Sequence, residues 1–415
     1  MPIRRIIEFS ANNRLLVIAA VLAAVAFSVA TLKRIPLDAI PDLSDTQVIV
    51  YSRWDRSPDL IEDQVTYPIV TALLGVPKVK AVRGFTDFGY SFVYVIFHDG
   101  TDIYWARSRV VEALARTQGS IPEGVRTELG PDASGVGWVF QYALRDRSGR
   151  HNPAELRSLQ DFHLRYALRS VAGVAEVATI GGFEKQYQVT VDPVRLQAHD
   201  LTLADIGAAI RRSNGETGGR LVEWSGREYM VRGRGYLASP EDLRKVAVRA
   251  SDRGVPLLLG DVATVELGPQ LRRGVADLDG EGEVVGAIVV MRHGENALAV
   301  IERVRTRLAE LQRSLPEGVE IVTTYDRSDL IQRSIATLTT ALVVEMLIVS
   351  LVILLFLWHF PSAFVPILTI PVAVVISFVP MAFFGITSNI MSLAGIAISI
   401  GVLVDGAIVE MENAY

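Results

Sequence analysis

"LLGVPKVKAVRGF" (residues 73–85) and "SVAGVAEVATIGGF" (residues 170–183) are two copies of one pattern, set 98 residues apart. Gly75 pairs with Gly173, Val76 with Val174, Val79 with Val177, Gly84 with Gly182 and Phe85 with Phe183. A second match, "IPEGV" (121–125) with "LPEGV" (315–319), stands 194 residues apart, and Gly100 and Gly294 keep that larger spacing. The spacing therefore grows by 96 residues inside the second copy. Such growth is expected of a domain-sized insertion, placed here at roughly residues 183–275.

Each copy reads strand, helix, strand, strand, helix, strand. In the first, alternating "TQVIVYS" precedes the helical "SPDLIEDQVTYPIVTALL", which opens on a Ser-Pro start signal. "KVKAVRG", "YSFVYVIFHDG", the helical "TDIYWARSRVVEALA" and "VRTEL" follow. The second runs through "WVFQYAL", "PAELRSLQDFHLRYALRSV" and "VAEVATIG". After the insertion it resumes with "VVGAIVVMRH", "NALAVIERVRTRLAELQ" and "EIVTTYD". That order is the split βαβ, ferredoxin-like unit. The expected fold class is α+β: tandem ferredoxin-like subdomains on a base of transmembrane helices. The first subdomain is expected over residues 34–135 and the second over 136–182 with 276–330.

Composition agrees with a membrane base. The 415 residues are 50% hydrophobic, and mean hydropathy is +0.31, which is unlike a wholly soluble chain. Residues 15–32 are an uncharged run of eighteen. Residues 335–358 and 362–384 are each long enough to cross a ~30 Å hydrocarbon core at ~1.5 Å per residue. A further apolar run begins near Asn389 and is cut off at Tyr415, giving helices two to four over residues 335–415. Arg4, Arg5 and Arg14 favour a cytoplasmic N-terminus. One crossing then places residues 33–334 outside, in the periplasm of a bacterium-like cell.

Several function classes are excluded by what the sequence lacks. The net charge of −5, with signs interspersed, leaves no nucleic-acid footprint. Without cysteine there are no disulfides, Fe–S clusters or thiolate metal sites within these residues. No G-x-x-x-x-G-K-[ST] loop occurs, and "GEGEVVG" (280–286) has the wrong glycine spacing for a dinucleotide fold. The six histidines show no close-paired ligand spacing. No nucleophile–base set assembles, so the chain reads as no enzyme and needs no cofactor. Any work it does must draw on a gradient.

The last segment, "IGVLVDGAIVEMENAY" (400–415), suggests which one. Asp405 and Glu412 are seven residues apart and share a helix face, whereas Glu410 points elsewhere. A carboxylate at mid-membrane costs at least ~2.5–3.5 kcal/mol, so it usually faces a bundle interior and marks a proton or ion path. Gly401 and Gly406 flank Asp405 and permit close helix approach. Glu345 lies midway along the second span as a candidate partner.

These residues also carry a resemblance. "AIPDLSDTQVIVY", "EDQVTYP", "SFVYVIFHDGTDIYWARSRV", "GPDASGVGWV", "ELRSLQDFHLRY", "GGFEKQYQVTVDP", "YMVRGRGYL", "YDRSDLI" and "NIMSLAGIAISIGVLVDGAIVEMENAY" cover the whole chain. Together they resemble the N-terminal half of a resistance–nodulation–division (RND) efflux permease of the heavy-metal branch, on the Cus-type copper/silver side. The resemblance implies a multi-pass protein of the bacterial inner membrane with a large periplasmic domain. It implies a homotrimer of porter subdomains, an inserted docking subdomain and twelve spans, of which four fall here, so that the stop at Tyr415 reads as that of a fragment. A periplasmic adaptor and an outer-membrane channel are the implied partners beside membrane lipid, and a metal cation is the substrate.

Within that family the fourth-span Asp is the proton-relay acid, and Asp405 falls on it. The zinc/cobalt branch resembles D-F-G-x-x-x-D-x-x-x-x-x-x-E, and Ser399 stands at its first Asp. The copper/silver pattern "GAMVDAAIVMIEN" is departed from at Leu403 and Glu410, which replace methionines able to pass a soft cation. Met391 is retained as a candidate metal ligand. Two other functions fit the same residues: an RND pump for other metals or organic compounds, and a membrane-anchored sensor or assembly factor that uses the porter fold only for binding.

Overall fold

The computed structural model describes residues 9–32, 35–117, 119–250, 254–272, 274–357 and 360–414. An apolar helix, α1 (Arg14–Leu32), opens the chain. Strand β1 (Gln47–Arg53) leads into helix α2, built of Pro58–Ile61 and Tyr67–Leu74 joined by a π turn at Glu62–Thr66. Then follow β2 (Val79–Asp87), β3 (Tyr90–Phe97), α3 (Ile103–Ala115) and β4 (Arg126–Leu129). The second set begins with β5 (Trp138–Asp146), followed by α4, built of Pro153–Leu159 and Arg165–Arg169 around a π turn at Gln160–Leu164, and β6 (Val174–Gly181). It ends with β13 (Val285–Met291), α9 (Ala297–Gln312) and β14 (Val319–Asp326).

Both four-stranded sheets have the same order, β2-β3-β1-β4 and β6-β13-β5-β14. Numbered within each copy, that is second, third, first, fourth, as the split βαβ unit requires. The two π turns also stand 98 residues apart, so the repeat extends to a rare helical irregularity. In the first copy Ile61, Val65, Ile69 and Leu73 all reach the core at a spacing of four. Four exceeds the 3.6 residues of an α turn, and the wider π turn takes up the excess. These side chains pack on Val48, Val50, Val93, Val95 and Phe97 of the sheet. Strand β1 alternates buried and half-buried residues along its length, as one covered face dictates.

Start signals act by different means in the two copies. Ser57 stands at the N-cap of α2 without a side-chain bond, and Pro58 supplies the preset φ. Asn152 forms a capping box with Glu155 at the start of α4, and Asp102 accepts from the Trp105 N–H at 2.7 Å to open α3.

By contact the chain divides into two compact units, the described residues of Met1–Arg147, His163–Thr179 and Gly286–Tyr415, and those of Ser148–Phe162 with Ile180–Val285. The second unit contains β7 (Lys185–Val191), α5 (Pro193–Ala198), α6 (Leu203–Ser213), β8 (Thr217–Trp224) and β9 (Arg227–Gly233). It continues through α7 (Pro240–Arg244), β10 (Ala247–Ala250), β11 (Pro256–Leu258), α8 (Leu259–Val262) and β12 (Ala263–Pro269). Strands β7 and β12 pair antiparallel from Val191↔Ala263 to Lys185↔Pro269. Leu196, Leu201, Ile206, Leu243, Leu259, Val262 and Val265 close a core of its own.

After β14 the chain enters α10 (Arg327–Leu357) with no intervening loop. This helix starts eight residues before the apolar run recognised in the sequence, because a strand feeds directly into its first turn. Helices α11 (Phe360–Ile376) and α12 (Phe378–Phe383) follow with a break at Ser377, where Pro380 lacks the N–H that a continuing helix needs. The last helix is α13 (Ile390–Ala414). Three segments, Arg14–Leu32, Arg327–Leu355 and Ala363–Phe383, are long and apolar enough to cross a membrane, and Ile390–Gly406 is a shorter apolar helix.

The repeat's glycines have a steric cause. A Cβ on Gly84 would lie 2.8 Å from Thr66 Cγ2 and 3.2 Å from Val70 Cγ2, so α2 presses directly on β2. On Gly182, at φ +59°, it would lie 2.6 Å from Val285 Cγ2 and 2.8 Å from the Pro153 carbonyl oxygen. Gly75 has open space instead. Gly84→Ala is therefore expected to destabilise the first sheet by about 1–3 kcal/mol as an overpacking change. Gly75→Ala should stay within about 0.5 kcal/mol, as surface changes do. Hydrogen-exchange protection of β2 and β3 in the two purified variants measures the difference.

Candidate functional site

Helix α13 positions the candidate acid. Its Ile400 and Val404 are buried against Ile353 of α10 and against Ala363 and Ile370 of α11. Nearer its start, Leu393 packs with Ile35, Phe378 and Met381. Asp405 follows Val404 by one residue, about 100° around the helix, and is exposed. It lies on the stripe of Ile398, Val402 and Val409, all exposed apolar residues. Among the described residues Asp405 has no ion pair or hydrogen-bond partner. Glu345 is half-buried on α10 beside Met346, which packs into the same helix cluster. The side chains of Glu410 and Glu412 lie outside the described residues. Met391 sits exposed in the first turn of α13. Thus α13 presents Asp405 on a face that α10 and α11 leave open, and among the described side chains no hydrogen bond or ion pair joins Asp405, Glu345 and Met391. Among the described residues no group of three or more His, Asp or Glu side chains could hold a metal ion.

The start of α13 is a polar knot that sequence reasoning missed. Asn389 caps the helix, its Oδ1 accepting from the N–H groups of Met391 at 2.9 Å and Ser392 at 3.1 Å. Its Nδ2 donates to Thr387 Oγ1 at 2.9 Å. Ser388 bridges to Leu37 in parallel register. The Asp38 N–H donates to the Ser388 oxygen at 3.1 Å, the Ser388 N–H to the Pro36 oxygen at 3.0 Å, and the Ile390 N–H to the Ala39 oxygen at 3.3 Å.

Asp38 in turn meets Arg327, with Oδ1 2.8 Å from Nη2. Only 3% of Arg327 is exposed, and it is the one charged residue among the fully buried polar residues described. Its Nη1 donates to the Val136 carbonyl. Burial raises the Asp38 carboxyl above its usual range, outweighing the pull of Arg327 and of the Ala39 and Ile40 N–H groups. Alongside, Arg305 Nε donates to Asp326 Oδ2 at 2.7 Å and its Nη2 to Ser328 Oγ at 2.8 Å. The signal available in the sequence was a charge near each of two apolar runs, Asp38 six residues after the first and Arg327 eight residues before the second.

A second polar group joins the segments before β1 and β5, the first turn of α3 and the loop after β13. Asp42 Oδ2 stands 3.8 Å from His293 Nδ1, and the Tyr104 hydroxyl donates to Asp132 Oδ2 at 3.2 Å. Burial would raise the Asp42 carboxyl, but hydrogen bonds from Ser134 and Ser44 and the charge of His293 hold it below its usual range.

Two sheets of identical strand order, together with three helices long and apolar enough to cross a membrane, fit a permease-type membrane fold. The chain belongs to the AcrB/AcrD/AcrF family, which matches residues 6–415. It is 52% identical to the cation efflux system protein CusA of Escherichia coli (strain K12) over 99% of this chain and 39% of that protein. Identity to the putative cation efflux system protein SilA of Salmonella typhimurium is 51%, with the same coverage. The cobalt-zinc-cadmium resistance protein CzcA of Cupriavidus metallidurans is 37% identical, again over 99% of this chain and 39% of that protein. The crystal structure of a heavy metal efflux pump superimposes with a TM-score of 0.87 at 32% identity, covering 98% of this chain and 41% of that one. The chain thus spans about two-fifths of the length of the relatives it matches.

Asn389→Ala should fray the first turn of α13 at a cost of about 1 kcal/mol, the usual loss for an N-cap. Faster hydrogen exchange at the Met391 and Ser392 amides, with the α10 amides unchanged, is the expected readout.

Proposed function

We propose that this chain belongs to a proton-driven transporter that exports heavy-metal cations, Cu(I) or Ag(I), as the inner-membrane permease of a tripartite complex. The observation that carries the reading is Asp405, a carboxylate within an apolar helix of a chain 52% identical to a cation efflux protein over 99% of its length. In this reading the open face of α13 meets further helices of the whole protein, which withdraw Asp405 from lipid and supply its counter-charge. Protonation then removes the buried charge and its pairing, and the helix shifts against its neighbours. Glu412 and Glu345 would serve the same path. The metal is cargo, and Met391 is its one candidate ligand here. Identity to CusA exceeds that to CzcA, and Ser399 lacks the carboxylate of the zinc/cobalt pattern; both favour the copper/silver side.

The two split βαβ sheets would be porter subdomains in the periplasm, and residues 183–275 the docking subdomain inserted within the second of them, between β6 and β13. Every residue of β8 and β9 is exposed, with Trp224 at 74% and Met230 at 80% among them. A two-stranded ribbon open on both faces is marginal alone, and its apolar side chains suit burial against a neighbouring subunit. That supports a homotrimer, with an adaptor and an outer-membrane channel completing the complex.

Two measurements test these readings. In proteoliposomes of the whole transporter with an imposed pH gradient, Asp405→Asn should reduce metal efflux to the level of empty liposomes, and Asp405→Glu should restore part of it. Wild-type efflux from the Asn variant would sink the relay. Leu221→Ser/Trp224→Ser should shift the purified protein from trimer to monomer in light scattering; an unchanged trimer would remove the ribbon from the interface.

A further inference from the structure

We propose that the Asp38–Arg327 pair is the mechanical joint that passes movement of the Asp405 helix to the second sheet, which makes Arg327 a positioning residue for transport. The proposal rests on the relay reading of Asp405. Asp405 lies fifteen residues from Ile390, roughly 22 Å down the α13 axis. An α-helix is stiff along that axis, so displacement at the acid arrives at the capped end. There the Ser388 and Ile390 backbone is tied to Pro36, Asp38 and Ala39 by the three hydrogen bonds between the 36–39 and 388–390 segments. Asp38 carries the tie onward to Arg327 through its side chain.

Arg327 faces two ways. It is the first residue of α10, directly after Asp326, which ends β14. Its other nitrogen donates to Val136, two residues before β5 begins. Strands β14 and β5 are paired, with Asp326 opposite Phe140 and Tyr325 opposite Gln141. One guanidinium therefore holds the α13 tether, the root of α10 and the mouths of both strands. Arg305 and Ser328 brace the same corner through Asp326. Replacing a buried ion pair by apolar groups is often neutral for stability, and fixing one register is the best-attested use of such a pair. An ion pair at Nη2 and a hydrogen bond at Nη1 of one planar group suit that use, and lysine, with a single point charge, cannot serve both.

The test uses the whole transporter in proteoliposomes, with Ag(I) as probe and an imposed pH gradient. Asp38→Asn/Arg327→Met removes both charges at similar volume. The double variant should assemble and bind Ag(I) with KM unchanged, while kcat falls roughly tenfold, within the range of coupling changes produced by such positions. A double variant with wild-type stability and wild-type kcat would overturn the joint. If it fails to fold, Arg327→Lys decides: a lowered kcat at constant KM supports the joint, and an unchanged kcat overturns it. Asp405→Asn, measured alongside, separates the two ideas. Full efflux from that variant defeats the relay and with it the premise of the joint, whereas an inactive Asp405→Asn beside a full-rate double variant defeats only the joint.

Discussion

Where β14 becomes α10, the guanidinium of Arg327 is withdrawn from solvent and must find its acceptors inside the protein. It finds Asp38 on the chain leaving the first apolar helix and the Val136 carbonyl at the approach to β5. Leaving either side of such a pair unmatched would strand a buried charge, a loss of ~3–5 kcal/mol. The geometry is therefore obligatory: the 36–39 segment has to lie across the head of α10, and Ser388 has to meet it there. Once those segments are fixed, so is the point at which α13 starts, and with it the depth at which Asp405 is carried.

The two four-stranded sheets are governed by a simpler constraint, the closeness of a helix to a sheet. Gly84 and Gly182 occupy matching places in the two copies, and at each an added methyl would overlap its neighbours. The matching π turns at Glu62–Thr66 and Gln160–Leu164 belong to the same solution. In the first copy the wider turn keeps apolar residues spaced four apart on one face while the helix rides over the strand. A repeat detected as a few shared letters is thus a repeat of packing distance.

Function sits between these two parts. The sheets alone offer no metal-binding cluster among the described residues, and α13 offers Asp405 on an open face. Family membership supplies the class, and the relatives that match over this stretch include cation efflux proteins. A displacement of the apolar helices can reach the sheets directly through a rigid connection. A strand that runs into a helix without a loop is such a connection, since no flexible residue lies between Asp326 and Arg327 to absorb displacement.

By itself the sequence determined the apolar helices, the order of elements in each copy, the family and the acid in the last helix. Those depend on local quantities: hydropathy over about twenty residues, alternation, and motif spacing. The strand-to-helix continuity at Arg327 was not among them, because residues 327–334 set only Leu330 and Ile331 among six polar residues and so fall outside the apolar run although they are helical. Nor was the pairing of Asp38 with Arg327, residues far apart in the chain and each unremarkable where it stands. Only the tertiary structure decided which face of α13 is covered, placing Ile400 and Val404 inward and Asp405 outward. A helix rich in apolar residues all round has no face that its own sequence must bury, so its neighbours choose.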